Sequence, residues 1–151
     1  MIIPNPSILL TPLPKHMRLR TKTSCRYGKF TMIKPMSVNQ RQLFWVGTSL
    51  KDLLGQPVEV RQCVGYALHV VQDGRTPENA KAFKQGGSGV IEISIDHDTD
   101  TFRTMYVAKL DKGVYVLQSF QMKSKSGKAT PKADIDKIQA RYKETLKADK
   151  E

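Results

Sequence analysis

Three short segments of alternating apolar and polar residues, separated by tight turn signals, constrain this chain more than anything else in it. They are "VIEISI" at 90–95, "TFRTMYVAK" at 101–109 and "VYVLQSF" at 114–120, joined by "DHDTD" and "LDKG". In the first, Ile91, Ile93 and Ile95 share one face and Glu92 and Ser94 the other, the period of two that marks a half-buried strand. The joining stretches are short enough for hairpin turns, so the three segments predict an antiparallel meander.

The elements around the meander follow from patterning. From Gln42, "QLFWVG" reads as a short apolar strand. "TSLKDLLG" follows as a helical turn or two, with Thr48 or Ser49 placed to cap it and Asp52 in its first turn, ended by Gly55 and Pro57. Val60, Cys63, Val64, Ala67, Leu68 and Val71 keep the i, i+3, i+4, i+7 spacing of an amphipathic helix that starts at Pro57 and closes at Gly74. A polar connection, "RTPENAKAFKQGGSG", leads into the meander. "TPKADIDKIQARYKETLKADK" closes the chain as a helix, with Thr130 as N-cap, Pro131 at its first position, and Ile135, Ile138 and Tyr142 on one stripe. The order strand, helix, helix, three-strand antiparallel meander, helix predicts an α+β domain with its helices on one sheet face. The isoleucine face of "VIEISI" buries under the long helix, and the face carrying Glu92 and Ser94 is left for another use.

The first 35 residues differ from the rest. They hold five of the eight prolines and no acid, and no helical or alternating pattern persists in them. They read as a disordered basic extension. Met32 and Met36 immediately precede the first regular pattern, so a start assigned too early is the other reading of residues 1–36, and a basic nucleic-acid-binding arm is a third. The remaining stretch, 37–151, then forms one domain, since 151 residues at 39% hydrophobic content suffice for one core and not for two.

The net charge of +11 is unevenly spread: residues 1–51 carry nine Lys/Arg and no Asp or Glu, while residues 52–151 are near neutral at +2. Global basicity therefore says little about function. The apolar stretch at Ile8, Leu9 and Leu10 is too short for a membrane span and is bracketed by Pro6 and Pro12; it also lacks the basic lead-in of a secretory signal. Cys25 and Cys63 match no metal-ligand or redox spacing and read as reduced thiols in a cytoplasmic protein.

Local charge is more informative. In "GVYVLQSFQMKSKSGKATP" a strand runs into Lys123, Lys125 and Lys128, with Lys132 just beyond and no acid until Asp134. A lysine run is most often a solvated loop. Arg103, among apolar strand residues, is either the salt-bridge partner of Glu92 or a phosphate ligand. Antiparallel pairing brings the two to one sheet end, where together they favour a phosphate site. The other signals are weaker. "DHDTDT" begins like a calcium loop, but Thr101 stands in place of the turn glycine and Val107 in place of the terminal acid, so it reads as a hairpin turn. "GGSG" precedes a strand and so is not a phosphate-cradling loop. His69 lies off the apolar stripe of its helix. No nucleophile–base pattern and no metal-ligand set can be nominated, and no cofactor is expected.

The segments "FWVGTSLKDL", "GYALHVVQDG", "AKAFKQGGSGVIEI" and the stretch from "FRTMYVAKLDKGVYV" through "QARYKE" together resemble the phage-derived, HigB-type toxins of the RelE/ParE superfamily, over about residues 43–147. The resemblance implies the small RelE-like toxin fold. It also implies the toxin of a type II toxin–antitoxin system, acting as a ribosome-dependent mRNA endoribonuclease that inhibits translation. The implied partners are a HigA-like helix-turn-helix antitoxin in a hetero-oligomer, the ribosome and mRNA, without a membrane. By similarity Arg103 matches the arginine of the family's strand motif and Lys123 a basic residue of its "F-x-K-K" segment. The implied catalytic residues are Arg103, Lys123 and Lys125, with Lys81, Lys84 and Lys128 binding RNA and Glu92 or a lysine as the base. Met122 stands where that segment has its first lysine, and Ser94 where an arginine is common. Two other readings stand beside this one: a non-enzymatic poison of DNA gyrase, and a degenerate toxin that binds antitoxin or RNA without cutting.

Overall fold

The computed structural model describes residues 2–4, 40–122 and 129–151. Its elements are β1 (Ile2–Pro4), β2 (Gln42–Val46), α1 (Ser49–Leu54), α2 (Val58–Gln72), β3 (Ala80–Ala82), a 3-10 turn (Lys84–Gly86), β4 (Val90–His97), β5 (Asp100–Val107), β6 (Gly113–Met122) and α3 (Lys132–Lys150). The architecture is α+β. The strands make one six-stranded sheet in the order β1-β2-β6-β5-β4-β3.

The meander forms as its alternation predicts: β4 pairs antiparallel with β5, and β5 with β6. The "DHDTD" stretch is the β4–β5 turn, where Asp98 takes a φ of 54°, a left-handed conformation that aspartate tolerates better than most residues. β2 joins the sheet parallel to β6, with Phe44 across from Tyr115 and their rings stacked at 4.8 Å. Gly113 makes that approach possible, because a Cβ there would overlap the Gln42 carbonyl. The outermost strands carry no alternation signal. β3 lies inside the stretch read as a polar connection, and pairs with β4 through Lys81 across from Glu92. Ile2–Pro4, which patterning left without an element, pairs antiparallel with β2. Residues 1 and 5–39, which include the rest of the proposed extension 1–36, lie outside the described residues.

The expectation that all helices pack on one face is corrected. α1 and α2 cover one face, where Leu53, Val60, Val64, Ala67, Leu68 and Val71 meet Trp45, Ile93, Ile95, Tyr106 and Val116. Burial there pushes the Tyr106 hydroxyl up to about 12. α3 covers part of the other face, where Ile138 is fully buried among Phe83, Val90, Met105, Val107, Tyr115 and Leu117. The cause is a sheet whose central strands are apolar on both sides: β6 is buried from Gly113 to Ser119 without a break. "GGSG" is where α3 lands. A Cβ on Gly87 would sit 2.6 Å from the Tyr142 ring, and the Tyr142 hydroxyl donates to the Ser88 carbonyl at 2.6 Å.

One irregularity sets the geometry of β6. Met105 pairs with Gln118 and Tyr106 with Val116, so Leu117 is an extra residue on β6. Such a bulge changes which side the following residues face. Leu117 thus packs in the α3 cluster while Gln118, on the same side, donates to Asp134 of α3 at 2.8 Å. Ser119 turns to the opposite side, where its hydroxyl meets Gln56 at 2.9 Å and Thr104 at 2.8 Å.

Cys63, on the buried face of α2, is disulfide-bonded, which corrects its reading as a reduced thiol. Cys25 lies outside the described residues. Among the described residues no helix is long and apolar enough to cross a membrane.

Both ends of the β5–β6 connection are held by side chains. Arg41 donates to the carbonyls of Ala108 and Leu110, and to that of Gly113 at 3.3 Å. Asp149, near the end of α3, accepts from the backbone N–H groups of Asp111 at 3.0 Å and Lys112 at 2.9 Å, and from the Tyr115 hydroxyl at 3.3 Å. Desolvation pushes the Asp149 carboxyl up, but these hydrogen bonds and the Lys112 charge outweigh it and leave its pKa below the ordinary value. A depressed folded pKa contributes stability above the unfolded value, and that stability is lost as pH falls through the folded one. Asp149→Asn should therefore lower the thermal midpoint at pH 7 by roughly 2–4 °C, the shift expected for about 1 kcal/mol. Measured against pH, the gap to the unmodified chain should close below about pH 4, where aspartate begins to protonate in the unfolded chain; a gap unchanged down to pH 2 would show that the charge contributes nothing.

Candidate functional site

Beyond the Ile138 cluster the second face continues over the beginning of β5 and the end of β6. Cross-strand partners share a face. Lys81 lies across from Glu92, Ser94 across from Arg103, and Arg103 across from Phe120. With the two-residue alternation along β4, Lys81, Glu92, Ser94, Arg103 and Phe120 all stand on this one side, running over β3, β4, β5 and β6.

Arg103 is the centre of the group. Its Nη1 lies 3.5 Å from Glu92 Oε2, and both side chains are largely buried, at 15% and 13% exposure. The same nitrogen donates to Thr130 Oγ1 at 2.9 Å. Of the two sequence readings for Arg103, the ion pair with Glu92 is therefore present in the fold. It does not exclude the other, because a guanidinium offers five N–H donors in a planar fork and can meet a carboxylate and a phosphate together.

The remaining predicted residues divide into two sets. Lys81 is exposed on β3, on the Glu92 side of the sheet, and Lys84 is exposed in the 3-10 turn that follows. Lys123, Lys125 and Lys128 lie outside the described residues. The flanks of their segment are described, however, and both converge on Arg103. β6 ends at Met122, paired with Thr101, two positions from Arg103 along β5. The chain resumes at Ala129, and Thr130 already touches the guanidinium. Met122 itself is 7% exposed, so the strand ends in a buried apolar side chain.

Thr130 is the residue that sequence reasoning misplaced. It was expected to cap α3, but Pro131 is the N-cap, and no side-chain cap hydrogen bond is made. Its hydroxyl reaches instead across 27 positions of sequence to Arg103, a contact with no local signal. A cavity of about 640 Å³ lies along the outer side of β6 beyond β2, lined among others by Gln56, Phe102, Ser119, Phe120, Gln121 and Lys137. It shares Phe120 with the Arg103 group, and neither Arg103 nor Glu92 lines it.

A family model described as "Phage derived protein Gp49-like (DUF891)" matches residues 51–143. The chain belongs to this Gp49-like family. The match runs from α1 into α3 and so contains every residue of the Arg103 group, the segment 123–128 and Thr130. No curated protein and no solved structure matches the chain. The Gp49-like region is thus β3 to β6 with most of α1, all of α2 and most of α3, while β1 and β2 fall outside it.

The Arg103–Glu92 pair should be energetically coupled. Removing one partner leaves the other charge largely buried, at a cost of about 1–3 kcal/mol. Glu92→Ala, Arg103→Ala and the double variant, compared by urea denaturation, should show a non-additive term of roughly 0.5–3 kcal/mol, the range for residues in contact. Additive losses would mean that the pair forms no stabilising contact in solution.

Proposed function

We propose that this Gp49-like protein has the small RelE-like toxin fold and is the toxin of a type II toxin–antitoxin pair, cleaving ribosome-bound mRNA in the cytoplasm and inhibited by a HigA-like helix-turn-helix antitoxin. The observation that carries the reading is Arg103: a largely buried guanidinium held on the sheet beside a carboxylate and next to Thr130, close to the described flanks of the lysine-bearing segment. The strand order of β2, β6, β5 and β4, with helices on both faces, is compatible with that fold.

The chemistry requires few groups. The ribose 2′-hydroxyl of the substrate attacks the adjacent phosphorus, the bond to the 5′-oxygen of the next nucleotide breaks, and a 2′,3′-cyclic phosphate and a free 5′-hydroxyl result. A base must take the 2′ proton, cations must stabilise the charge that develops on the phosphorane oxygens, and an acid must protonate the leaving oxygen. In this reading Glu92, 3.5 Å from Arg103, serves as the base. Arg103 stabilises the phosphorane, Lys123 and Lys125 serve as further phosphate ligand and leaving-group acid, and Lys81, Lys84 and Lys128 hold the RNA backbone.

A second reading is supported by Met122 and Ser94, both uncharged where the resembled toxins are basic: a toxin-like protein that binds RNA or antitoxin and does not cut. The two readings separate in one assay. Purified protein is added to ribosomes programmed with a defined mRNA, and cleavage is followed by primer extension. The unmodified chain should cut. Arg103→Ala and Lys123→Ala should each lower the cleavage rate roughly a hundred- to thousandfold, as for loss of one preorganised contact to transition-state charge, with circular dichroism unchanged. Lys128→Ala should chiefly weaken RNA binding and its salt dependence. Wild-type cleavage by folded Arg103→Ala protein would remove Arg103 from the site. No cleavage by the unmodified chain, with activity appearing in Met122→Lys, would establish the second reading. Intact mRNA with DNA synthesis arrested in cells would point instead to gyrase.

A further inference from the structure

We propose that Thr130 is a positioning residue for Arg103, helping Glu92 to fix the plane of its guanidinium. The inference rests on the reading of Arg103 as the cation that meets the scissile phosphate. It begins with a residue whose expected local task is not performed. A threonine one position before a helix-starting proline ordinarily caps the helix, yet α3 has no side-chain cap and begins from Pro131. Thr130 is only 6% exposed. A buried hydroxyl needs a partner, and this one has Arg103 Nη1 at 2.9 Å.

Geometry shows what the contact adds. An arginine side chain has four rotatable bonds, and each acceptor on the guanidinium narrows the orientations open to it. Nη1 carries two hydrogens. Glu92 Oε2, on β4, lies 3.5 Å from this nitrogen, and Thr130 Oγ1, on the chain entering α3, lies 2.9 Å from it. Two acceptors held by two different elements define the plane of the group, and so the direction in which the rest of the fork points. Glu92 alone supplies charge; Thr130, neutral and buried, supplies orientation. A cation misplaced by about 1 Å can cost as much as a hundredfold in rate, so the effect belongs in the chemical step and not in binding.

The test uses the full chain and three variants. Thr130→Val keeps the shape and removes the acceptor, Thr130→Ser keeps the acceptor, and Thr130→Ala replaces Thr130→Val should the latter not fold. In the ribosome-programmed cleavage assay, Thr130→Val should lower kcat about tenfold or more with KM unchanged within error, and Thr130→Ser should restore most of it. The second readout does not depend on cleavage: ¹⁵N spectra of the Arg103 guanidinium, assigned by comparison with Arg103→Lys, report rotation about its Cζ–Nη bonds. Separate Nη signals in the unmodified chain and Thr130→Ser, merging in Thr130→Val, are expected. A Thr130→Val protein with unchanged kcat and unchanged guanidinium signals would overturn the proposal, as would a loss that Thr130→Ser fails to restore. If the unmodified chain cuts no mRNA, the functional reading fails by itself; the guanidinium signals then decide the positioning claim, which falls if they do not change in Thr130→Val.

Discussion

The pairing of β5 with β6 across the Leu117 bulge is the constraint on which the rest of the molecule depends. Above the bulge, Tyr106 and Val107 pair with Val116 and Tyr115, and β6 is flanked on its other side by β2. Below it, Arg103 pairs with Phe120 and Thr104 with Ser119, and β2 no longer runs alongside. The extra residue lets β6 serve two environments. Its first half is the centre of a sheet buried on both faces, and its second half is a border whose side chains reach α1 on one side and the start of α3 on the other. Without the bulge Gln118 and Ser119 would exchange faces. The contacts of Gln118 with Asp134 and of Ser119 with Gln56 and Thr104 would then be lost together.

The attachment of α3 depends on that border. Only Ile138 and Thr145 are buried along its 19 residues, with Ile135 and Tyr142 packed beside Ile138, so the apolar stripe that holds it is narrow. Polar contacts along its length do the rest: Asp134 with Gln118, Gln139 with the Gln85 carbonyl, Arg141 with the Leu117 carbonyl, and Asp149 with the β5–β6 connection. Arg141 has a particular place among them. Its Nη1 donates at 2.7 Å to the bulged residue's carbonyl, and its Nη2 donates at 2.8 Å to Thr48 at the start of α1. The chain turns away from the sheet at Gly47, whose φ of 58° leaves room for the guanidinium beside it. Burial pulls the Arg141 pKa down against the opposing pull of Asp52 and Glu144. An arginine here takes the place of the strand that β2 no longer provides.

The meander, both early helices and the closing helix were legible because each rests on a local period: two along β4, near 3.6 along α2. What was missed lacks such a period or depends on distance in sequence. β3 is three residues, "AKA", two of them exposed, held by backbone pairing to β4. The coverage of both sheet faces did leave a signal in "VYVL", an unbroken apolar run of the kind found where a strand is buried on both sides. Reading β4 alone, with its polar Glu92 and Ser94, hid that signal. The Arg103–Glu92 pair was open to prediction because alternation puts both residues on one face. Thr130 was not, since a threonine before proline carries a strong and, in this chain, misleading capping signal.

Charge bears on the role proposed for the Arg103 group. The chain carries +11 overall, yet on the described part of this face the Arg103 charge is matched by Glu92, which also faces Lys81 across β3. Lys81 leaves this face with a positive surplus, and the sequence between β6 and α3, residues 123–128, holds three more lysines and no acid. An ion pair removed from water contributes little net stability compared with apolar residues of similar volume, because desolvation opposes the Coulomb gain. The fold has such apolar packing close by in Met105 and Leu117, so filling this position with a hydrophobe would cost it little. For the proposed role the pair offers a guanidinium already held in place, and a cation that needs no reorientation stabilises developing negative charge more effectively than one that must first be ordered.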